Sequence, residues 1–179
     1  MDLKQSQTYQ NLKKAYDGER IASTKYAIYG SKAREDGYEQ IGNIFDETSK
    51  NEREHAEIWL KQLEGGEIPS TLDNLKESIP GEHYEWTSMY KGYADTARKE
   101  GFDHIAELFD GVAGIEYNHD NRFEKLAKNI ETGEVFCKDQ RMVWICTNCG
   151  NLVWDECAPK ICPVCGYPQG YYQLCCINY

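Results

Sequence analysis

"AREDGYEQIGNIFDETSKNEREH" (residues 33–55) and "ARKEGFDHIAELFDGVAGIEYNH" (residues 97–119) align without a gap at a shift of 64 residues, with 8 of 23 positions identical. Tyr26 and Tyr29 fall on Tyr90 and Tyr93 at the same shift, while "GE" at 18–19 returns at 81–82, one residue out of step. Working outward from the first copy, Ile41, Phe45, Thr48, Glu52, His55 and Trp59 are spaced by alternating steps of three and four. That spacing puts all six on one face of a helix, the face that normally enters a core. In the second copy Ile105, Phe109, Val112, Glu116, His119, Phe123 and Leu126 repeat the pattern. Each copy reads as two helices joined near a glycine, Gly37 or Gly101. Residues 65–80, "GGEIPSTLDNLKESIP", have the Gly and Pro content of a crossover loop. Two helix pairs with one longer connection describe a ferritin-like four-helix bundle.

Both inward stripes carry a carboxylate and an imidazole. An upstream helix adds Tyr9, Leu12, Tyr16, Glu19, Ser23 and Tyr26 in the same spacing, and a third supplies Glu82 and Glu85 ahead of Met89. A single inward Glu is usually a surface residue at a misread helical phase. Four helices each turning ionisable groups inward need another explanation. Burying unpaired carboxylates costs on the order of several kcal/mol each, comparable to the whole reserve of a domain. Matching inward Lys or Arg are missing, so divalent metal is the expected compensation. One carboxylate from each of two helices plus Glu-x-x-His from each of the other two is the ligand set of dinuclear carboxylate bundles. Mixed carboxylate and imidazole ligation suits iron or manganese.

The 179 residues carry a net charge of −10, which argues against nucleic acid or an anionic membrane as partner. No apolar run approaches the ~20 residues of a membrane span. "MDLKQSQTYQ" has no apolar signal-peptide core, so a cytoplasmic location is expected. All eight cysteines lie in the last 43 residues. Without a secretory signal, clustered cysteines point to metal. "CTNC" at 146–149 and "CPVC" at 162–165, each followed by Gly, give four thiolates at the spacing of a closed tetrahedral site: Cys146, Cys149, Cys162 and Cys165. By ligands alone, iron and zinc suit it equally. Cys137, Cys157, Cys175 and Cys176 read as free thiols acting as small hydrophobes. The expected domains are a bundle over 1–135, a linker at 136–141 and a metal-centred module over 142–179.

Taken together, "GER" at 18–20, "EREHA" at 52–56, "GEHYEWTSMY" at 81–90, "EYNH" at 116–119 and "CTNCG…CPVCG" at 146–166 make the chain resemble the rubrerythrins. That family joins a ferritin-like di-iron bundle to a rubredoxin-like domain. The resemblance implies di-iron ligands at Glu19, Glu52, His55, Glu82, Glu85, Glu116 and His119, with Glu85 and His55 as alternative ligands of one iron. It implies that Tyr90 hydrogen-bonds the exchanging carboxylate and that the tetrathiolate holds iron. The catalytic group is then Glu52, Glu116, Glu85, His55 and Tyr90. The implied activity is reduction of hydrogen peroxide, protecting an anaerobic or microaerophilic microbe. Electrons are implied to arrive through the tetrathiolate from a rubredoxin or a separate NAD(P)H-linked reductase, in a homodimer. A ferroxidase of the ferritin-like class is the competing reading.

Overall fold

The computed structural model describes residues 2–176 and divides between Pro69 and Ser70 into two units. In the first, a single 3-10 turn at Leu3–Gln5 leads into α1 (Gln7–Glu35), which packs along α2 (Glu39–Leu63). Ser6 caps α1 by accepting a hydrogen bond from the Tyr9 amide. The turn between the helices needs a left-handed residue, which Gly37 supplies at φ 86°. Small residues set the interhelix distance. A Cβ on Gly30 would meet the Asp46 carboxylate at 2.5 Å, and one on Gly42 would meet the Gly30 carbonyl at 3.1 Å. Where the backbones close, Ser23 Oγ donates to the Ser49 carbonyl and Ser49 Oγ donates to the Ser23 carbonyl.

In the second unit one long helix is made of α3 (Thr71–Tyr84), a π-helical turn at Glu85–Met89 and α4 (Tyr90–Lys99). It packs along α5 (Asp103–Thr132), again through a glycine turn, Gly101 at φ 84°. The repeat is therefore structural as well as sequential. Tyr26 and Tyr29 pack on Phe45 as Tyr90 and Tyr93 pack on Phe109. Arg34 pairs with Asp46 as Arg98 pairs with Asp110. Gly30 and Gly42 become the buried Ala94 and Ala106. The π turn explains the one-residue slip between "GE" and the tyrosines. A π bulge absorbs one extra residue within a continuous helix, so the register changes from 63 to 64 across Glu85–Met89.

The stretch expected as a crossover loop is shorter than its composition suggested. Helix α3 already begins at Thr71, because Ser70 caps it by accepting from the Asp73 amide. Pro80 lies inside the helix, leaving only residues 64–70 as connection.

After α5 ends at Gly133 in the left-handed conformation, the chain enters a three-stranded antiparallel sheet. Strand β1 (Cys137–Cys146) lies between β2 (Leu152–Cys157) and β3 (Tyr172–Leu174). Residues 136–141, expected as linker, run into β1, where pairing is interrupted between Cys137 and Met142. Trp144, Cys146, Ala158, Cys162 and Tyr172 form a small core, and the Trp144 indole donates to the Asp155 carbonyl at 3.0 Å. Cys137 stands directly opposite Cys157, with Cα atoms 4.0 Å apart, and the two form a disulfide. This corrects the reading of both as free thiols. Cys175 and Cys176 carry free thiols, the first half-buried and the second exposed. Among the described residues no helix is long and apolar enough to cross a membrane.

Candidate metal centres

The tetrathiolate comes from two hairpin-like turns brought together by the small sheet. Gly150 and Gly166, at φ 76° and 74°, close the turns, and each donates its amide to the carbonyl of the first cysteine of its pair. The amides aimed at sulfur lie one residue further on, from Asn151 toward Cys149 and from Tyr167 toward Cys165. Cys146 and Cys165 sulfurs are 3.8 Å apart, and those of Cys149 and Cys162 are 3.7 Å apart. A metal with bonds of ~2.3 Å to four tetrahedral sulfurs would hold them ~3.8 Å apart, so the cage already has the required size. Its thiols are not equivalent. A hydrogen bond from the Tyr172 hydroxyl, aided by backbone amides, lowers Cys162 to about 6. At Cys149 the Asn151 amide pulls down, but desolvation and three neighbouring thiols outweigh it, leaving the group at about 12.

Each helical pair gathers its own trio. In the first unit Glu19 of α1 meets Glu52 and His55 of α2. In the second unit Glu82 of α3 meets Glu116 and His119 of α5. Within each trio one donor atom per residue lies within 4.8 Å of the others. The Glu-x-x-His spacing works as helical geometry dictates: one turn apart, His55 Nδ1 lies 2.8 Å from Glu52 and His119 Nδ1 lies 2.7 Å from Glu116. Glu19 and Glu82 approach the same imidazoles from the neighbouring helix at 3.8 and 3.5 Å. The carboxylates are largely covered, yet no Lys or Arg pairs with them among the described ion pairs. Desolvation, reinforced by a hydrogen bond with Glu116, raises the pKa of Glu82. Two carboxylates and one imidazole form a hard, anionic donor set that suits a divalent first-row metal.

The structure places the remaining candidates less symmetrically. Glu85 opens the π turn and lies outside the second trio, although its charge acts on Glu82. Its counterpart in the first unit, across the slipped register, is Ala22. Tyr90 has a raised pKa, first from burial and then from the charges of Glu85 and Glu116, which puts its hydroxyl in the field of those carboxylates.

One arrangement escaped the sequence reading. Asp120, next to His119, is only 5% exposed and accepts hydrogen bonds from Trp86 Nε1 at 2.7 Å and His83 Nδ1 at 3.0 Å. Its second carboxylate oxygen has no partner. His83 and Trp86 interleave with Glu82 and Glu85, so Asp120 clamps the ligand-bearing stretch of the third helix against α5. The available signal was its phase: four residues after Glu116, it falls on the buried side of the helix.

Comparison with known proteins follows the same division. The rubrerythrin family model matches residues 10–127 and again 73–143, and the model of the rubrerythrin rubredoxin-like domain matches 144–173. A rubrerythrin of Clostridium perfringens is 44% identical, over 96% of this chain and 96% of its own length. A rubrerythrin of Nitratidesulfovibrio vulgaris is 40% identical, over 99% of this chain and 98% of its own. A putative rubrerythrin of Methanocaldococcus jannaschii is 39% identical over 99% and 97%. The two carboxylate–imidazole trios and the sulfur cage thus sit in a chain that belongs to the rubrerythrin family, oxidoreductases that pair a dinuclear non-haem iron site with a rubredoxin-like iron tetrathiolate.

Proposed function

We propose that this protein is a peroxidase that reduces hydrogen peroxide to water, H2O2 + 2 e− + 2 H+ → 2 H2O. Glu19, Glu52, His55, Glu82, Glu85, Glu116 and His119 would hold the dinuclear iron, and Cys146, Cys149, Cys162 and Cys165 would hold the mononuclear iron. The observation that carries this reading is that two equivalent trios and a sulfur cage of tetrahedral size occur in one chain. When bound, the iron pair supplies the two electrons in one encounter with peroxide. The five carboxylates hold that pair through a change of charge, since anionic oxygen donors accept both ferrous and ferric ions. With iron bound, His55 and Glu85 would be alternative ligands of one iron. In support, the His55 side chain is 51% exposed against 34% for His119, so it has the greater freedom to move. Tyr90, which lies in the field of Glu85, would donate a hydrogen bond to that carboxylate and steady it as it exchanges.

Electrons enter through the tetrathiolate from a rubredoxin or a reductase drawing on NAD(P)H. The amides directed at Cys149 and Cys165 stabilise sulfur-borne charge. The setting is the cytoplasm of an anaerobic or microaerophilic microbe, and the working form is a homodimer. The deciding experiment compares turnover of reduced protein with peroxide against turnover with oxygen and excess Fe(II). Rapid peroxide consumption with little Fe(II) oxidation is expected. Preferential Fe(II) oxidation by oxygen would make the protein a ferroxidase instead.

A further inference from the structure

We propose that Cys137 and Cys157 are a reversible thiol–disulfide couple, closed by peroxide and reopened by a dithiol of the thioredoxin class, that sets how freely the sulfur cage moves on its tether to α5. The two are bridged across facing positions of β1 and β2, with Cα atoms 4.0 Å apart. Cys157 is exposed and Cys137 half-buried, so a reagent in solution reaches the bridge from the Cys157 side. Exposed disulfides are the more easily reduced ones, and in a reducing cytoplasm such bonds are usually transient. The tail does not depend on this bridge to fold. Trp144, Cys146, Ala158, Cys162 and Tyr172 form its core, and metal at the four sulfurs staples both turns. The free thiols are poorly placed to replace Cys137. Cys175 bonds to Val143 on the far side of β1, two strand spacings or ~10 Å from β2, beyond the ~7 Å that a disulfide spans.

The bridge sits at a joint. Cys137 lies five residues beyond Thr132, the last residue of α5. Past it the ladder is interrupted, with 138–141 standing opposite Glu156 alone, and regular pairing resumes at Met142. With the bridge closed, the tether runs from Thr132 to Cys137 and reaches at most ~18 Å; with it open, the tether extends to Met142 and reaches at most ~36 Å. Opening is opposed by the hydrogen bond from the Ala158 amide to the Phe136 carbonyl at 2.8 Å and by the part-buried Phe136 ring. One hydrogen bond and one ring are marginal against the chain entropy that opening releases. For its oxidant the inference rests on the peroxidase reading. The Cys157 thiolate attacks a peroxide oxygen, the O–O bond breaks, one water leaves and a sulfenic acid remains. The Cys137 sulfur then displaces hydroxide, which takes the Cys137 proton and leaves as the second water: 2 RSH + H2O2 → RSSR + 2 H2O. In reopening, the reductant's thiolate attacks the Cys157 sulfur and Cys137 departs as a thiolate that takes up a proton. The reductant's second thiol then resolves the mixed disulfide. Peroxide that outruns the electron supply thus stiffens the joint that carries the electron port.

The test uses the full-length, metal-loaded protein, reduced with dithiothreitol and freed of it without air. Added hydrogen peroxide should join the Cys137 and Cys157 peptides, read by alkylation and mass spectrometry, while Cys175 and Cys176 stay open to alkylation. Dithiothreitol without denaturant should reverse the bridge and leave the visible absorbance of the tail metal unchanged. Trypsin cuts after Lys138 and Arg141, both in the interrupted stretch. It should cut the reduced form about tenfold faster, in proportion to the population of open joint. Cys157→Ser should be cut at the reduced rate with or without peroxide, and Cys176→Ser should behave as wild type. Thiols that stay free in peroxide, a bridge that dithiothreitol does not open under native conditions, or equal cutting of the two forms would each overturn the couple. So would a bridge to Cys175 or Cys176. Glu52→Ala, expected to lack bundle iron, should still close the bridge; its failure would overturn direct oxidation by peroxide in solution. A wild type that closes the bridge yet consumes peroxide no faster than Glu52→Ala overturns the peroxidase reading and leaves the couple standing.

Discussion

Replacing Asp120 with Ala removes the acceptor that holds Trp86 and His83 against α5. Losing a hydrogen bond to an ionised acceptor, with a part-buried indole N–H left unpaired, costs about 2–3 kcal/mol. The His83 side chain is 57% exposed, so water replaces much of what it loses. Relief from burying a carboxylate with one unpartnered oxygen offsets part of the remainder. The net expectation is a loss of about 2 kcal/mol, equivalent to a fall in Tm of ~4–8 °C for a chain of this size. Asp120→Asn retains an acceptor for Trp86 and sheds the charge, so it should lose less than about 1 kcal/mol. The assay is urea unfolding of metal-free protein followed by helical circular dichroism, with Trp emission as a second probe. Since the clamp spans Glu82 and Glu85, Asp120→Ala should also weaken iron binding in the bundle more than Asp120→Asn does. An Ala variant as stable as wild type, or an Asn variant as damaged as Ala, would refute the reasoning.

Three further outcomes are expected. Cys149→Ser should block reduction by the protein donor yet leave a single turnover after chemical reduction of the bundle iron intact; loss of that turnover would show that the tail has another role. The disulfide between Cys137 and Cys157 closes a separation of 20 residues, worth about 3 kcal/mol by loop-closure entropy. Cys137→Ser or a phosphine reductant should therefore lower the temperature at which the tail releases its metal, and an unchanged temperature would contradict this. Cys162, lowered to about 6, is mostly thiolate at neutral pH, whereas Cys149, raised to about 12, gives up its proton only to metal. Metal binding at the cage should thus release protons, persist above neutrality and weaken as pH falls through 6, read by visible absorbance. Uptake independent of pH between 8 and 5 would count against it.

What could be read from the chain alone follows from where the physics is local. The 64-residue repeat, the two Glu-x-x-His stripes and the paired Cys-x-x-Cys turns are short-range patterns, and helical phase carries them directly into the two trios and the cage. Features that depend on tertiary register escaped. The clamp at Asp120 joins α5 to a helix some 34–37 residues earlier. The disulfide depends on an interrupted pairing of β1 with β2, which periodicity does not encode. Pro80 read as part of a loop because local propensity disfavours it in a helix, yet the cap at Ser70 and packing on α5 carry the helix through it. The slip between "GE" and the tyrosines was visible, but only the π turn at Glu85–Met89 explains it.

The most direct measurement is anomalous diffraction at the iron absorption edge from crystals of protein purified without added metal. Two iron peaks are expected among Glu19, Glu52, His55, Glu82, Glu85, Glu116 and His119, with a third among the four sulfurs. A peak at the sulfurs alone, with those carboxylates turned to solvent or paired with lysine, would contradict the central claim.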